Sequence, residues 1–227
     1  NRSVVGAGLR TESKLILSRA ATPAAAELLA ADSASPILDH VLGPPDAVHA
    51  FTAASALDWR PAMSQRIYEC RGVVAAPRSE GAHRLANADD VPLLARWVQG
   101  LFAEALNEDI GLADARARVE RHIARASMHV WEVGRRALSV AAAVAPTPHG
   151  SRVNNVYTPP EFRGNGYAGA LVAAVTQTML DSGRAFVFLH TDLTNPTSNA
   201  LYQRIGFERV ARIEMLRRHS GAGRLPI

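Results

Sequence analysis

Arg163-Gly164-Asn165-Gly166-Tyr167-Ala168-Gly169 stands between a β-branched and aromatic run, Val153 to Tyr157, and an Ala-, Val- and Leu-rich run reaching Met179. The first run reads as a strand. The second reads as a helix that stops at Asp181-Ser182-Gly183. A glycine-rich loop that opens a helix aligns backbone N–H groups at the positive end of the helix dipole, which suits a phosphate or pyrophosphate. Gly164 and Gly166 let such an anion reach the backbone with no Cβ in the way. A second cluster follows: Leu189-His190-Thr191-Asp192, then Asn195-Pro196 and onward to Tyr202, Gly206 and Phe207. Asn195 and Pro196 suit a helix N-cap and first helical position. Tyr202 comes seven residues after Asn195, two helical turns, so Asn195, Ser198, Asn199 and Tyr202 share one stripe. Leu201 and Ile205 fall on a neighbouring stripe and read as core, with Gly206 as the C-cap glycine and Phe207 packing behind it.

Read literally, Gly164 to Gly169 satisfies the dinucleotide fingerprint, and Asp192 ends the next strand, Phe186 to His190. Three features oppose a nicotinamide or flavin fold. The residues Pro159 to Arg163 stand between the strand and the first glycine, whereas a dinucleotide unit places that glycine directly after the strand. Only 35 residues follow Asp192, too few for the remaining strands, and nothing earlier in the chain supplies a second βαβ half. The arginine gives the better match. Arg163 to Ala168 resembles the (Gln/Arg)-x-x-Gly-x-(Gly/Ala) signature of the GCN5-related N-acetyltransferase (GNAT) superfamily. The stretch from Leu189 to Phe207 is similar to the same superfamily's fifth strand, short Asn/Tyr helix and terminal Gly-Phe. The resemblance covers about residues 82–218 and is densest over 153–207.

That resemblance implies a mixed α/β fold, with a mostly antiparallel sheet whose fourth and fifth strands splay apart. It implies acetyl-CoA as co-substrate, its pyrophosphate on Arg163, Gly164, Asn165, Gly166, Tyr167, Ala168 and Gly169. The pantetheine arm would pair with the backbone of Val156, Tyr157 and Thr158 and with the Asn195 side chain. Tyr202 would be the general acid to the departing thiolate. Many relatives carry a glutamate base on the fourth strand; here Asn154, Asn155 and Tyr157 stand there instead. Glu161 lies in a solvated turn, and His190 and Asp192, at the end of the fifth strand, are the remaining side-chain candidates. The implied activity is N-acetylation of a small-molecule or peptide amine by direct transfer in a ternary complex. A non-catalytic acyl-CoA-binding module is the alternative.

These residues need a scaffold, and the rest of the chain supplies one. At 227 residues and 48% hydrophobic content, the chain can bury an ordinary core. It has no apolar run of 18 residues, no apolar signal core at Asn1-Arg2-Ser3, and one cysteine, Cys70, with no metal-ligand spacing around it. A cytoplasmic protein without metal or membrane, monomer or homodimer, is the simplest expectation. The net charge of +4 comes almost wholly from scattered arginines, with Lys14 the sole lysine. No basic block or recognition motif points to nucleic acid.

Residues 1–79 read as an accessory region, either a degenerate partial copy of the GNAT fold or a family-specific subdomain. It shows helices from Thr22-Pro23 to about Ala31 and from Pro44-Pro45-Asp46, a break at Pro61, and a strand over Met63 to Val74. Ala76 to Gly81 is the linker candidate. Residues 80–227 form the GNAT domain. Its strand His83 to Ala86 is followed by a cap at Asn87 to Asp90 and an amphipathic helix through Val91, Leu94, Val98, Leu101, Phe102 and Ala105. A polar loop at Asn107 to Asp109 and a helix from Leu112 to about Ala126 come next. Strands Met128 to Val133 and Ala137 to Ala145 join through a hairpin at Gly134-Arg135, and a loop over Pro146 to Ser151 leads to the glycine-loop strand.

Overall fold

The order of elements is β1 (Gly8–Arg10), β2 (Lys14–Leu17), α1 (Pro23–Asp32), β3 (His40–Gly43), α2 (Pro45–Ala54), β4 (Trp59–Cys70) and β5 (Ala82–Leu85). Then come α3 (Val91–Leu106), α4 (Leu112–Ala124), β6 (Met128–Val133), β7 (Arg136–Val144), β8 (Gly150–Tyr157), α5 (Tyr167–Asp181), β9 (Phe186–Asp192), α6 (Pro196–Ile205) and β10 (Glu208–Arg218). This is a computed structural model, and it describes residues 4–32, 38–75, 78–106, 108–144 and 147–219. From β5 onward the order is the one expected of the GNAT domain. Ala76, Pro77, Asn107, Ala145 and Pro146, which belong to the expected linker, loop and strand end, lie outside the described residues.

The chain divides into two compact units. The first takes residues 1–67, Thr191–Asn195 and 210–227. In it β1 runs antiparallel to β2, β2 parallel to β3, and β3 antiparallel to the end of β10, where Met215 faces Leu42. Leu15, Leu17, Val41 and Leu216 from the strands meet Ala26, Ala30, Ala47, Val48 and Phe51 from α1 and α2 in one core. Thr22 Oγ1 accepts from the Ala25 N–H at 3.2 Å and Pro23 takes the first helical position, so α1 starts where its cap dictates. Two expectations are corrected here. The strand expected over Met63 to Val74 runs over Trp59–Cys70, with Pro61 exposed within it and not at a boundary before it. An exposed proline is tolerated in a strand where its missing N–H has no ladder partner to serve. The strands β1, β2 and β3 were not foreseen; at three or four residues each they are too short to show a period.

The second unit, residues 68–190 and 196–209, holds the chemistry-bearing loop. β5, β6, β7 and β8 form an antiparallel meander, and β9 joins β8 in parallel after the α5 crossover. Gly134 and Arg135 both have positive φ (52° and 67°), as a tight hairpin turn of this hand requires. Alternation along the strands separates two cores. Met128, Val130 and Val140 pack with Leu94, Val98, Ala115 and Val119 of α3 and α4. Ala141, Ala143, Val153, Val187 and Leu189 pack with Leu171, Val172 and Val175 of α5. Each fully buried Val or Leu contributes about 1.5–3 kcal/mol, which holds β8 and β9 firmly from the α5 side. At the β5–α3 corner, Arg84 donates to both Asp90 carboxylate oxygens at 2.7 and 2.9 Å and through Nε to Glu132 Oε2 at 2.7 Å. Asn87 completes a reciprocal capping box with Asp90.

Candidate functional site

β8 and β9 pair only at their starts: Gly150 with Phe186, Ser151 with Val187, Arg152 with Phe188. Among the described residues their pairing ends there, so from Val153 to Tyr157 β8 has no ladder partner in β9. The expected loop over Pro146 to Ser151 is corrected on this point, since Gly150 and Ser151 already belong to the strand and carry the pairing. On its other side β8 is bulged. Val140 of β7 faces Tyr157 while Ala142 faces Asn154, and Asn155 takes φ +50°, a left-handed conformation that asparagine tolerates better than most residues.

The chain then turns through Thr158 and Pro159, makes a single helical turn at Pro160–Phe162, and enters the glycine loop. Gly164 (φ +83°) and Gly166 (φ +80°) are both left-handed, the backbone reason for glycine at these two positions. Gly166 is the N-cap of α5 with no side-chain cap, and the first helical bond runs from the Ala170 N–H to the Gly166 carbonyl at 3.0 Å. The N–H groups of Tyr167, Ala168 and Gly169 precede that bond and have no acceptor within the helix. Asn165 Nδ2 donates to the carbonyls of Phe162 and Arg163 at 3.1 and 3.2 Å, so this side chain holds the loop and leaves its backbone for a ligand. A nucleotide pyrophosphate fits such a donor set.

Arg163 is half exposed and engaged within the protein. Its Nη2 meets Glu104 Oε2 of α3 at 2.6 Å, its Nε donates to the Thr158 carbonyl at 2.9 Å, and its guanidinium stands over the Tyr157 ring. Tyr157 donates its hydroxyl to the other Glu104 oxygen at 2.8 Å. Burial, with Glu104 beside it, pushes the Tyr157 phenol up to about 12. Partial burial works against the Glu104 carboxylate, yet the hydrogen bonds from Arg163 and Tyr157 hold its carboxyl below the ordinary value. Thr158 is buried and donates to Ser139 Oγ at 2.8 Å, while Ser139 donates to the Tyr157 carbonyl. Val156 is partly buried against the α5 core.

Tyr202 is 7% exposed, its ring against Tyr68 (6.4 Å) and Phe207 (6.0 Å). Burial raises its phenol to about 12 against the opposing hydrogen bond from Ser198. Its neighbour on the stripe, Asn199, is also buried and accepts from the Tyr68 hydroxyl at 2.9 Å. Asn195 directly precedes α6, and its N–H donates to the Asp192 carbonyl at 3.2 Å. Asp192 accepts from the Thr194 N–H and hydroxyl, both at 2.7 Å, which turns the chain out of β9. His190 packs at a tilt against Phe188, and burial next to Arg152 lowers its imidazolium to about 4, so it is neutral near pH 7. Glu161 is exposed in the turn.

The bulge of β8 also looks into a cavity of about 190 Å³ that sequence reasoning missed. Val98 and Phe102 of α3, Asn154 and Asn155 of β8, and Arg118, Arg121, His122 and Arg125 of α4 line it. The signal was present as a spacing: 118, 121, 122 and 125 form one stripe of α4 and its C-cap, beside the apolar stripe of Ala115, Val119 and Ile123. In sequence such a stripe is indistinguishable from a solvated face.

Residues 133–216 match the family model described as FR47-like protein, a span that includes the β8 edge, the glycine loop, β9 and α6. Solved structures extend the likeness. An acetyltransferase of the GNAT family from Colwellia psychrerythraea is 11% identical, with a TM-score of 0.64 over 87% of this chain and 72% of its own. A GCN5-related N-acetyltransferase from Sphaerobacter thermophilus is 14% identical, with a TM-score of 0.66 over 93% and 75%. One from Kribbella flavida is 15% identical, with a TM-score of 0.62 over 97% and 90%. The chain has the GNAT fold. At these identities the neighbours establish the GNAT fold, and the 97% coverage carries the likeness into the residues before β5. No curated protein matches the sequence. Among the described residues no helix is long and apolar enough to cross a membrane, and no three His, Cys, Asp or Glu side chains gather as metal ligands.

Proposed function

We propose that this protein is an acetyl-CoA-dependent N-acetyltransferase that binds acetyl-CoA and an amine together and passes the acetyl group directly from sulfur to nitrogen. The observation that carries the reading is the separation of β8 from β9 after three pairs, beside a glycine loop whose first-turn N–H groups have no helical acceptor. In this reading the N–H groups from Gly164 to Gly169 and the Arg163 guanidinium hold the pyrophosphate. The free edge at Val156, Tyr157 and Thr158 pairs with the pantetheine amides, and a backbone N–H there stabilises the oxyanion formed as nitrogen attacks the thioester. Asn195 adds a side-chain hydrogen bond. Tyr202, kept protonated by its raised pKa, gives its proton to the departing thiolate. Residues 80–227 act as the catalytic domain and 1–79 as an accessory region, in a cytoplasmic monomer or homodimer.

One set of observations favours the rival reading, a non-catalytic acyl-CoA-binding module. Tyr202 is buried among aromatic neighbours, and β8 carries asparagines where a carboxylate base would serve. The test is calorimetry with acetyl-CoA and with NADH as control, followed by coenzyme A release with a panel of amines, polyamines and peptides. Binding of acetyl-CoA with turnover establishes the transferase. Binding without turnover across the panel favours the module, and heat from NADH alone overturns the choice of co-substrate.

A further inference from the structure

The cavity under the β8 bulge is lined mostly by cationic and neutral polar groups, with Val98 and Phe102 as its apolar part. Arg118, Arg121 and Arg125 put three guanidiniums on its wall. Among the described residues none of the three has an ion-pair partner, whereas Arg116 on the same helix pairs with Glu120 at 2.8 Å. Arg118 is held over the Phe102 ring at 5.0 Å, which fixes one guanidinium at the rim. His122 is fixed as well: Ser127 donates its hydroxyl to the His122 carbonyl, so Nδ1–H donates to Ser127 Oγ at 3.0 Å. That leaves the Nε2 lone pair toward the Asn155 amide, at 3.4 Å. Burial and the three arginines lower the imidazolium pKa, so His122 adds no charge near pH 7. Among the described residues no carboxylate lines the cavity.

Unpaired guanidiniums converging on a concave site bind oxyanions through two parallel N–H bonds, and their summed field draws anions in. We infer that this cavity is the acceptor subsite, and that the acceptor is a small amine carrying an oxyanion, a carboxylate or a phosphate, which Arg118, Arg121 and Arg125 hold while its nitrogen points to the β8 edge. This rests on the transferase reading above. A coenzyme A phosphate is the other source of an oxyanion. Its expected seat is the glycine loop beyond Thr158, past the opposite end of the β8 edge from Asn154 and Asn155.

The test compares the wild type with the triple variant Arg118→Gln/Arg121→Gln/Arg125→Gln, all three side chains being exposed and dispensable to the core. Inorganic phosphate is first titrated into each protein saturated with acetyl-CoA; binding in the wild type that is lost in the variant is expected, and no wild-type binding overturns the site. Turnover is then measured for glycine against glycinamide, β-alanine against β-alaninamide, and phosphoethanolamine against ethanolamine. The charged member of at least one pair should show a kcat/KM about 10-fold or more higher, a preference of about 1.4 kcal/mol that the variant abolishes through KM. Equal turnover within every pair, or turnover of none by a protein that binds acetyl-CoA, overturns the inference and leaves coenzyme A binding intact. A variant that loses affinity for acetyl-CoA but not for its dephospho form assigns the arginines to the ribose phosphate instead. Failure to bind acetyl-CoA at all overturns the underlying transferase reading.

Discussion

Tyr202 and Arg163 show how one side chain serves both the fold and the proposed reaction. The Tyr202 ring fills a core shared with Tyr68 and Phe207, so its identity as an aromatic is fixed by packing, and only its hydroxyl is free to be read as chemistry. Tyr202→Phe keeps the ring and removes the proton donor. The expected result is a fall in kcat of about 10²–10⁴ with near-normal acetyl-CoA affinity, partly rescued by a donor with a better leaving group. Wild-type turnover in the variant would restrict Tyr202 to packing. Arg163 is tied to Glu104, so a pyrophosphate must take the guanidinium from a carboxylate already in place. Arg163→Glu should weaken coenzyme A binding about 10-fold or more, about 1.4 kcal/mol, with little change in folding stability. Glu104→Gln removes the competing charge and should leave affinity equal or tighter; a marked loss in this variant would mean that Glu104 orders the loop for the ligand.

Two elements carry predictions of their own. The β5–α3 corner depends on Asp90, whose carboxyl is opposed by burial but held below its ordinary value by Arg84 and the Asn87 N–H. A depressed folded pKa adds stability that is fully present above the unfolded value, about 4, and is lost as pH falls through the folded value. Urea midpoints should therefore stay level above about pH 5 and decline below about pH 4. Asp90→Asn should cost about 1–3 kcal/mol near neutrality and flatten part of that acid decline. The start of the β8–β9 pairing depends on Gly150, where an added Cβ would lie 2.3 Å from the Phe186 ring. Gly150→Ala should destabilise by about 1–3 kcal/mol through overpacking, and amide exchange should quicken first along β8 and β9. Uniform exchange throughout the unit would place the strain elsewhere.

For the molecule as a whole, a ligand that binds only the native protein raises its stability by mass action. Acetyl-CoA at about 100 times its Kd should add about 2.7 kcal/mol. For a chain of this length each kcal/mol moves Tm by about 2–4 °C, so a rise of roughly 5–10 °C is expected. The shift should shrink in Arg163→Glu and persist in Tyr202→Phe, which separates the binding contacts from the proposed acid. Equal shifts in both variants would remove Arg163 from the coenzyme A site.

Local chemistry wrote much of this into the sequence. Asn87, Pro92 and the apolar steps from Val91 to Phe102 specify α3 because caps and a 3.6-residue period act within one element. Gly164 and Gly166 specify the loop because few other residues accept its left-handed φ, and the spacing from Asn195 to Tyr202 specifies one face of α6. The hairpin at Gly134-Arg135 was legible for the same reason. What depends on partners distant in sequence was not legible. β1, β2 and β3 are strands because they pair with one another and with β10, and three or four residues carry no period of their own. Glu104 reads as a solvated charge of α3 until β8 and the turn after it bring Tyr157 and Arg163 to its carboxylate. Arg118, Arg121 and Arg125 read as a solvated stripe until α3 and β8 close a cavity over them. Identity and spacing set which groups share a face. Tertiary packing decides what that face meets, because side-chain contact depends on the path of the whole chain.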